Sequence, residues 1–188
     1  MNDSHLIETP LSSELIYDGK IVHLYKDTVA LPNGRPAIRE VIRHVGAVCV
    51  VPLTDEGDVI CVRQYRYPNG KVLLEIPAGK LDSAEEDRVE AALRELREET
   101  GAVCQRLTPI GQLLTTPAYV DEVIDMYLAE GLTFGSTCPD EDEFLDIVRI
   151  PLAELVDRIL AGDIADAKTQ TAILKVWVMK QRKGELTC

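Results

Sequence analysis

Residues 87–101 read DRVEAALRELREETG and contain the most regular helical pattern in the chain. Apolar side chains recur at the three- and four-residue spacing of an amphipathic α-helix, and Gly101 is a typical C-terminal cap. The spacing predicts a helix from about Asp87 to Thr100. The face predicted to be buried consists of Val89, Ala92, Leu93, Leu96 and Thr100.

Three glutamates of this helix share a second face. Glu95, Glu98 and Glu99 fall within an arc of about 100°, centred roughly 120° from the apolar stripe. Like charges at these spacings each destabilise a helix by about 0.2–0.5 kcal/mol, and the C-terminal end of a helix disfavours anions. Two interpretations follow. The glutamates form a solvated face neutralised by Arg94 and Arg97, or they bind a divalent cation such as Mg²⁺, Mn²⁺ or Ca²⁺, which prefers oxygen ligands.

The remainder of the chain alternates between strands and helices. Strands are predicted over residues 21–29, 38–43, 45–53, 59–65, 73–76, 107–115, 123–129 and 145–150. Further helices are predicted over residues 151–160 and 165–183, the first opened by Pro151. This order indicates an α/β sandwich with a mixed sheet. Residues 1–40 are predicted to form an N-terminal β arm, and residues 41–183 the main domain.

Composition and charge narrow the possible partners. The chain has 188 residues, enough for one full-sized domain, and 32 acidic against 20 basic residues give a net charge of −12. Nucleic-acid binding needs a basic surface and is therefore disfavoured. The longest uncharged apolar run, Val45–Leu53, is too short to span a bilayer, and Met1–Pro10 lacks the pattern of a secretory signal. We therefore expect a cytoplasmic protein with no nucleic-acid or membrane partner.

The segment from residue 79 to residue 102 resembles the Nudix box. The pattern of that family is G, five residues, E, seven residues and then REUxEExGU, where U is bulky and apolar; residues 94–101 match its second half without a gap. The first half is one residue longer here, so Glu85 or Glu86 can fill the position of the first glutamate. We favour Glu86, because an additional loop residue costs little, whereas one in the helix would rotate all later residues by about 100°. The resemblance also implies that Arg94 pairs with Glu86 or Glu85.

The resemblance implies a Nudix-type α/β/α sandwich and a hydrolase of nucleoside diphosphate derivatives that uses Mg²⁺ or Mn²⁺. It makes Glu95 and Glu99 the principal metal ligands, with Glu98 as a further ligand or a holder of the attacking water. The carbonyl oxygen of Ala78 is implied as a backbone ligand. Bound cations neutralise a pyrophosphate and lower the pKa of an attacking water, so they also explain how an acidic protein holds an anionic substrate.

Other segments are similar to a subgroup of the family, the ADP-ribose pyrophosphatases. They are residues 62–68 (VRQYRYP), residues 75–82 (EIPAGKLD), residues 166–169 (DAKT) and Pro117, sixteen residues after Gly101. This resemblance implies Mg²⁺-dependent hydrolysis of the pyrophosphate bond of ADP-ribose or a related nucleoside diphosphate sugar. The products would be a nucleoside monophosphate and a sugar phosphate.

Candidate substrate and catalytic residues lie outside the helix. Arg63 lies within the strand predicted over residues 59–65, and Arg66 directly follows it. Treating the two as alternating along this strand, we expect both to face one side and contact phosphate, although surface ion pairs would use the same residues. The resemblance makes Glu122 a substrate contact near the ribose. It also implies a general base on the acidic segment before the strand at 145–150, with Glu143 as the best match and Glu141 as the alternate. A solvated loop is the competing interpretation for these carboxylates.

Two alternatives to an ADP-ribose hydrolase stay open, and the resemblance also implies an oligomeric state. A different nucleoside diphosphate derivative such as GDP-mannose is the alternative substrate, and a non-catalytic nucleotide-sugar-binding domain is the alternative class. Relatives of this subgroup are homodimers whose N-terminal strands reach the partner, so residues 1–40 are predicted to be a dimerisation element.

Overall fold

The computed structural model describes residues 3–135 and 144–184. The chain divides into two compact units, one formed by residues 1–45 and 114–122 and the other by residues 46–113 and 123–188. Within the two described ranges, no helix has both the length and the apolar character needed to cross a membrane.

The first unit contains an antiparallel sheet of three strands, β1 (Thr9–Asp18), β2 (His23–Ala30) and β3 (Pro36–Arg43), in that order. Gly34 has a φ of 80° in the tight turn between β2 and β3, a conformation that favours glycine. Residues 114–122 join this unit through backbone hydrogen bonds to the end of β3.

The second unit contains seven strands, three α-helices and one short 3₁₀ helix (Tyr67–Asn69) in the described residues. The strands are β4 (Ala47–Pro52), β5 (Asp58–Arg66), β6 (Lys71–Glu75), β7 (Ala78–Lys80), β8 (Ala102–Leu114), β9 (Val123–Phe134) and β10 (Leu145–Pro151). The helices are α1 (Arg88–Thr100), α2 (Leu152–Ala161) and α3 (Ala167–Arg182). One sheet has the order β7–β4–β9–β8, with β4 parallel to β9, and the other is antiparallel with the order β10–β5–β6. Every residue of β4 is buried, which explains its continuous apolar sequence.

Helix α1 begins and ends where its capping residues predict. The Asp87 carboxylate accepts hydrogen bonds from the backbone N–H groups of Val89 at 2.9 Å and Glu90 at 3.1 Å. Gly101 closes the helix with a φ of 69°. The helix contacts β4 and β7 of one sheet and β5 and β10 of the other, so it lies where both sheets can position its side chains.

The buried face of α1 is rotated from the predicted apolar stripe. It consists of Ala91, Ala92, Glu95, Leu96, Glu99 and Thr100. Val89, which the spacing assigned to the buried stripe, is 44 % exposed. Glu95 and Glu99 are only 7 % and 3 % exposed. The interpretation of the glutamates as a solvated face is therefore wrong for these two, because periodicity assigns buried positions to apolar residues alone.

The other elements lie close to their predicted positions. Helix α2 is shifted by one residue and α3 is shorter by two residues at its start and one at its end. Strand β8 starts five residues before the predicted strand at 107–115, and β1 and β7 were not predicted individually. Strand β7 spans only three residues, too few for an alternating pattern to be recognised.

Candidate active site

Gly79 allows the Glu95 carboxylate to lie directly against the backbone of β7. A Cβ atom built on Gly79 would overlap both the carboxylate carbon and its oxygens. A side chain at this position would therefore displace the Glu95 carboxylate or the strand.

Glu99 lies one helical turn further along α1 and contacts the residue before Gly79. Its Oε2 atom accepts a hydrogen bond from the backbone N–H of Ala78 at 3.2 Å. Strand β7 thus brings the backbone of Ala78 and Gly79 close to the two buried carboxylates of α1. Metal ligation by the Ala78 carbonyl stays a prediction.

Arg94 connects the remaining glutamates. Its Nη1 group donates to Glu95 Oε1 at 2.7 Å and to Glu98 Oε2 at 3.1 Å, while Nε and Nη2 each lie 3.3 Å from Glu86 Oε1. Partial burial lowers the pKa of Arg94, but Glu95, Glu98 and Glu86 outweigh that effect and raise it overall, so the guanidinium stays charged. We call Glu86, Glu95, Glu98 and Glu99 the acidic cluster.

Glu86, and not Glu85, contacts Arg94. Glu86 Oε2 also accepts a hydrogen bond from the Asp82 backbone N–H at 2.6 Å, which ties the loop before α1 to the helix. Glu85 is exposed. The additional residue is therefore accommodated in the loop, and the Arg94 pairing predicted with one of these two glutamates involves Glu86.

The acidic cluster offers hard oxygen donors and an excess of negative charge. Three of its four carboxylates contact the Arg94 guanidinium, and the fourth, Glu99, accepts a hydrogen bond from the Ala78 N–H. Among residues 3–135 and 144–184, no three carboxylate, histidine or cysteine side chains are grouped closely enough to hold an ion by themselves. The donor set fits a hard divalent cation that combines carboxylates with a backbone carbonyl and retains water ligands, as Mg²⁺ does.

The expectation that Arg63 and Arg66 face the same side is wrong. They are three positions apart on β5, whose pairing with β6 is regular from Val62 to Arg66, and residues an odd number apart lie on opposite faces of a strand. Arg63 donates to Asp146 at 3.2 Å and lines a surface cavity of about 410 Å³ with Tyr65. Arg66 is directed to the other face.

Arg66 belongs to a buried network that was not predicted. Its Nε and Nη2 groups each donate to Glu75 at 2.7 Å, and Lys168 at the start of α3 donates to Glu75 and, at 3.0 Å, to Asp166. Glu75 is 1 % exposed. Burial alone would raise the pKa of its carboxyl, but Arg66 and Lys168 outweigh this effect and hold the pKa below its usual value. We call Glu75, Asp166, Arg66 and Lys168 the Glu75 network.

One sequence signal could have indicated the Glu75 network. Residues 71–76 read KVLLEI, so Glu75 is a single acid at the end of an apolar run in a predicted strand. A carboxylate in such a position needs a cationic partner. The pattern does not reveal that the partners come from β5 and from α3, some ninety residues later.

Glu122 lies in the first unit. Its carboxylate accepts a hydrogen bond from Thr115 Oγ1 at 2.9 Å, and its other oxygen lies 3.6 Å from His44 Nδ1. His44 was not among the predicted site residues. The two candidates for the general base, Glu141 and Glu143, lie outside the described residues.

Comparisons with known proteins agree with the motif. The model of the NUDIX domain matches residues 43–171, and the model of the nucleoside diphosphate sugar hydrolase N-terminal domain matches residues 8–42. The chain is 41 % identical over 170 residues to the ADP-ribose pyrophosphatase of Bacillus subtilis, covering 89 % of this chain and 91 % of the relative. It is 42 % identical over 168 residues to a methanol dehydrogenase activator of Bacillus methanolicus, covering 88 % and 90 %. A crystal structure of an ADP compounds hydrolase superimposes with a TM-score of 0.85 at 28 % identity, covering 95 % of this chain and 97 % of that one.

Proposed function

The chain belongs to the Nudix family, and on that premise we propose that it hydrolyses the pyrophosphate bond of ADP-ribose or a related nucleoside diphosphate sugar. With ADP-ribose, water forms a new bond to one phosphorus, the anhydride bond breaks, and AMP and ribose 5-phosphate are released. The observation that carries the proposal is the pair of buried carboxylates, Glu95 and Glu99, held against the backbone of Gly79 and Ala78. The similarity to an ADP-ribose pyrophosphatase over nine-tenths of both chains supports this substrate class.

We propose that Glu95, Glu99 and the Ala78 carbonyl hold a divalent cation, Mg²⁺ or Mn²⁺, with Glu98 as a further ligand or a holder of the attacking water. Such a cation supplies charge neutralisation of the pyrophosphate and a lowered pKa for the water. Burial of two carboxylates supports this role, because a buried negative charge is costly unless a cation accompanies it. Arg94 supplies part of that compensation and links the loop to the helix.

Arg66 is the better supported of the two proposed phosphate contacts. Its guanidinium is fixed by Glu75 along one edge, while its side chain is 39 % exposed. Arg63 and the ribose contact Glu122 stay predictions. The same holds for Glu143, with Glu141 as alternate, as the base that takes the proton from the attacking water.

The proposed oligomer is a homodimer formed through the N-terminal strands. All ten residues of β1 are exposed, and four of them, Leu11, Leu15, Ile16 and Tyr17, are large and apolar. An apolar strand at a sheet edge favours pairing with another chain. Sedimentation at micromolar concentration should therefore give a species of twice the chain mass of 20.8 kDa. A single species with the mass of one chain would contradict the dimer. The cytoplasmic location also stays a prediction.

Incubation with ADP-ribose and Mg²⁺, with and without a chelator, tests the main proposal. We expect AMP and ribose 5-phosphate in the first reaction and no products in the second. A parallel screen with GDP-mannose and other nucleoside diphosphate sugars tests the substrate. Preference for GDP-mannose would support the alternative substrate, and tight binding of ADP-ribose without cleavage would indicate a non-catalytic binding domain.

A further inference from the structure

Glu75 occupies a central position between two cations from distant parts of the chain. Both of its oxygens accept hydrogen bonds from Arg66 of β5, and one of them also contacts Lys168 at the start of α3. Asp166 accepts from Lys168 and caps α3, so two anions and two cations balance each other. This charge balance lets the network persist in a largely buried position.

Residues 75–78 lead from Glu75 to Ala78, whose carbonyl is a proposed metal ligand, and each of these four residues makes at least one hydrogen bond to another part of the chain. The Ile76 N–H donates to Thr169 Oγ1 at 3.0 Å, and the Pro77 carbonyl accepts from the Val50 N–H at 2.9 Å. The Ala78 N–H donates to Glu99, as described above. The path of residues 75–78 is therefore fixed by α3 at one end and by α1 at the other.

The arrangement of Arg66 leaves donors for a second acceptor. A guanidinium carries five N–H groups in one plane, and the bidentate pair with Glu75 uses one on Nε and one on Nη2. Among the described residues, no protein acceptor is bonded to the other three. Because the group is planar, fixing one edge also fixes the direction of the opposite edge.

We propose that Glu75 is a positioning residue, which orients the Arg66 guanidinium towards a substrate phosphate and anchors the segment that carries the Ala78 carbonyl. The inference rests on the proposed function, since it assigns Arg66 to the phosphate of a nucleoside diphosphate sugar. Glu75 itself does not touch the substrate and acts through Arg66 and through residues 76–78.

The second unit contains a matched control. Glu130 on β9 also holds one arginine and one lysine, accepting from Arg106 at 2.7 Å and from Lys180 at 2.6 Å. Its side chain is 15 % exposed, and neither cation belongs to the proposed site. A purely structural role for Glu75 predicts that the two glutamates behave alike when they are changed to glutamine.

A double-mutant cycle in the full-length chain tests the proposal. We expect Glu75→Gln and Arg66→Lys each to lower kcat/KM for ADP-ribose about tenfold, mainly through a higher KM, because both loosen a contact made in the bound ground state. The double variant should lose about as much as the worse single variant, because both substitutions disrupt one interaction. Glu130→Gln should stay within about twofold of the wild type.

Folding and substrate controls keep the outcomes separable. If Glu75→Gln alone does not fold, the charge-balanced variant Glu75→Gln with Lys168→Met replaces it, and the same KM increase is expected. A folded variant whose KM lies within about twofold of the wild-type value, or losses that multiply in the double variant, would overturn the proposal. If the wild type binds ADP-ribose but does not cleave it, the proposed function fails, and calorimetric affinities then decide the positioning role: weaker binding by Glu75→Gln supports it and equal binding refutes it. If the wild type neither binds nor cleaves ADP-ribose, both proposals fail.

Discussion

The acidic cluster and the Glu75 network lie at opposite ends of residues 75–78, and they differ in charge balance. The acidic cluster holds four carboxylates, three of which contact one guanidinium, that of Arg94. The Glu75 network pairs two carboxylates with two cations. Both include nearly inaccessible glutamates, so burial alone does not distinguish them.

This difference in charge balance distinguishes two kinds of buried charged cluster. A neutral network is complete within the protein and fixes geometry, whereas an excess of carboxylates is stabilised by a cation from outside. Neutralising one carboxylate should therefore reduce the repulsion between charges in the acidic cluster without loss of stability. The same change in the Glu75 network should lower the free energy of unfolding.

Glu99→Gln should have the largest effect, and it should separate activity from stability. We expect turnover of ADP-ribose to fall by about 1,000-fold, since a lost metal ligand removes several kcal/mol of transition-state stabilisation. The free energy of unfolding in metal-free buffer should be unchanged or higher, because a buried negative charge is removed. Steady-state kinetics and urea unfolding measure both quantities. Glu90→Gln on the exposed side of α1 is the control, and near-normal turnover in Glu99→Gln would refute its assignment as a ligand.

Glu75→Gln should have the opposite effect on stability. Removing one charge leaves Arg66 and Lys168 without their shared partner, so we expect a loss of about 2–3 kcal/mol in the free energy of unfolding at pH 7. The folded-state pKa of Glu75 lies below its ordinary value of 4.5. Its contribution is therefore fully present above pH 4.5 and is lost as the pH falls through the folded-state pKa.

Urea unfolding of the wild type and Glu75→Gln between pH 7 and pH 3 measures this difference. The two curves should converge at the acidic end. A difference that is constant with pH would mean that the stabilisation does not depend on the charge of Glu75.

The sequence predicted the acidic cluster better than the Glu75 network, and the reason is the distance along the chain. The glutamates of α1 are three or four residues apart, so helical geometry alone places them together. The identity of the family and the three helices were confirmed for the same reason: their signals are local.

Two errors arose where a pattern was extended beyond its physical basis. Apolar periodicity predicted that Val89 would be buried and gave no indication that Glu95 would be. Periodicity considers apolar residues only, so it cannot predict a carboxylate that packs against the backbone of a glycine, as Glu95 does at Gly79. Arg63 and Arg66 were assigned to one face although their separation is odd. The partners of Glu75 are fixed only when α3 packs near β6, which no local pattern contains.

Gly79→Ala tests whether close approach of the backbone is needed in the acidic cluster. The new Cβ would overlap the Glu95 carboxylate, so that side chain or β7 must move. We expect a loss of about 1–3 kcal/mol in stability, which is the usual cost of overpacking, together with a higher Mg²⁺ concentration for half-maximal activity. Gly135→Ala is the control, since among the described residues its Cβ would meet only the Gly101 carbonyl, at an ordinary 3.8 Å. Equal behaviour of the two variants would show that Glu95 does not depend on the space at Gly79.

The smallest effect concerns the loop that precedes α1, where Glu85 and Glu86 are adjacent and chemically identical. Glu86 bonds to both Arg94 and the Asp82 N–H, whereas Glu85 is exposed. Glu86→Gln should therefore lower kcat/KM by about tenfold, in the range typical of residues that orient metal ligands, while Glu85→Gln should have little effect. The comparison also tests the excess negative charge of the acidic cluster. Glu86→Gln removes one anionic partner of Arg94, so Arg94 should bind Glu95 and Glu98 more strongly and compete with a divalent cation for these two carboxylates. A measured increase in the Mg²⁺ concentration for half-maximal activity in Glu86→Gln alone would indicate that Arg94 is shared between the loop and the ligands. Equal losses in the two variants would instead mean that the loop contributes only its total charge.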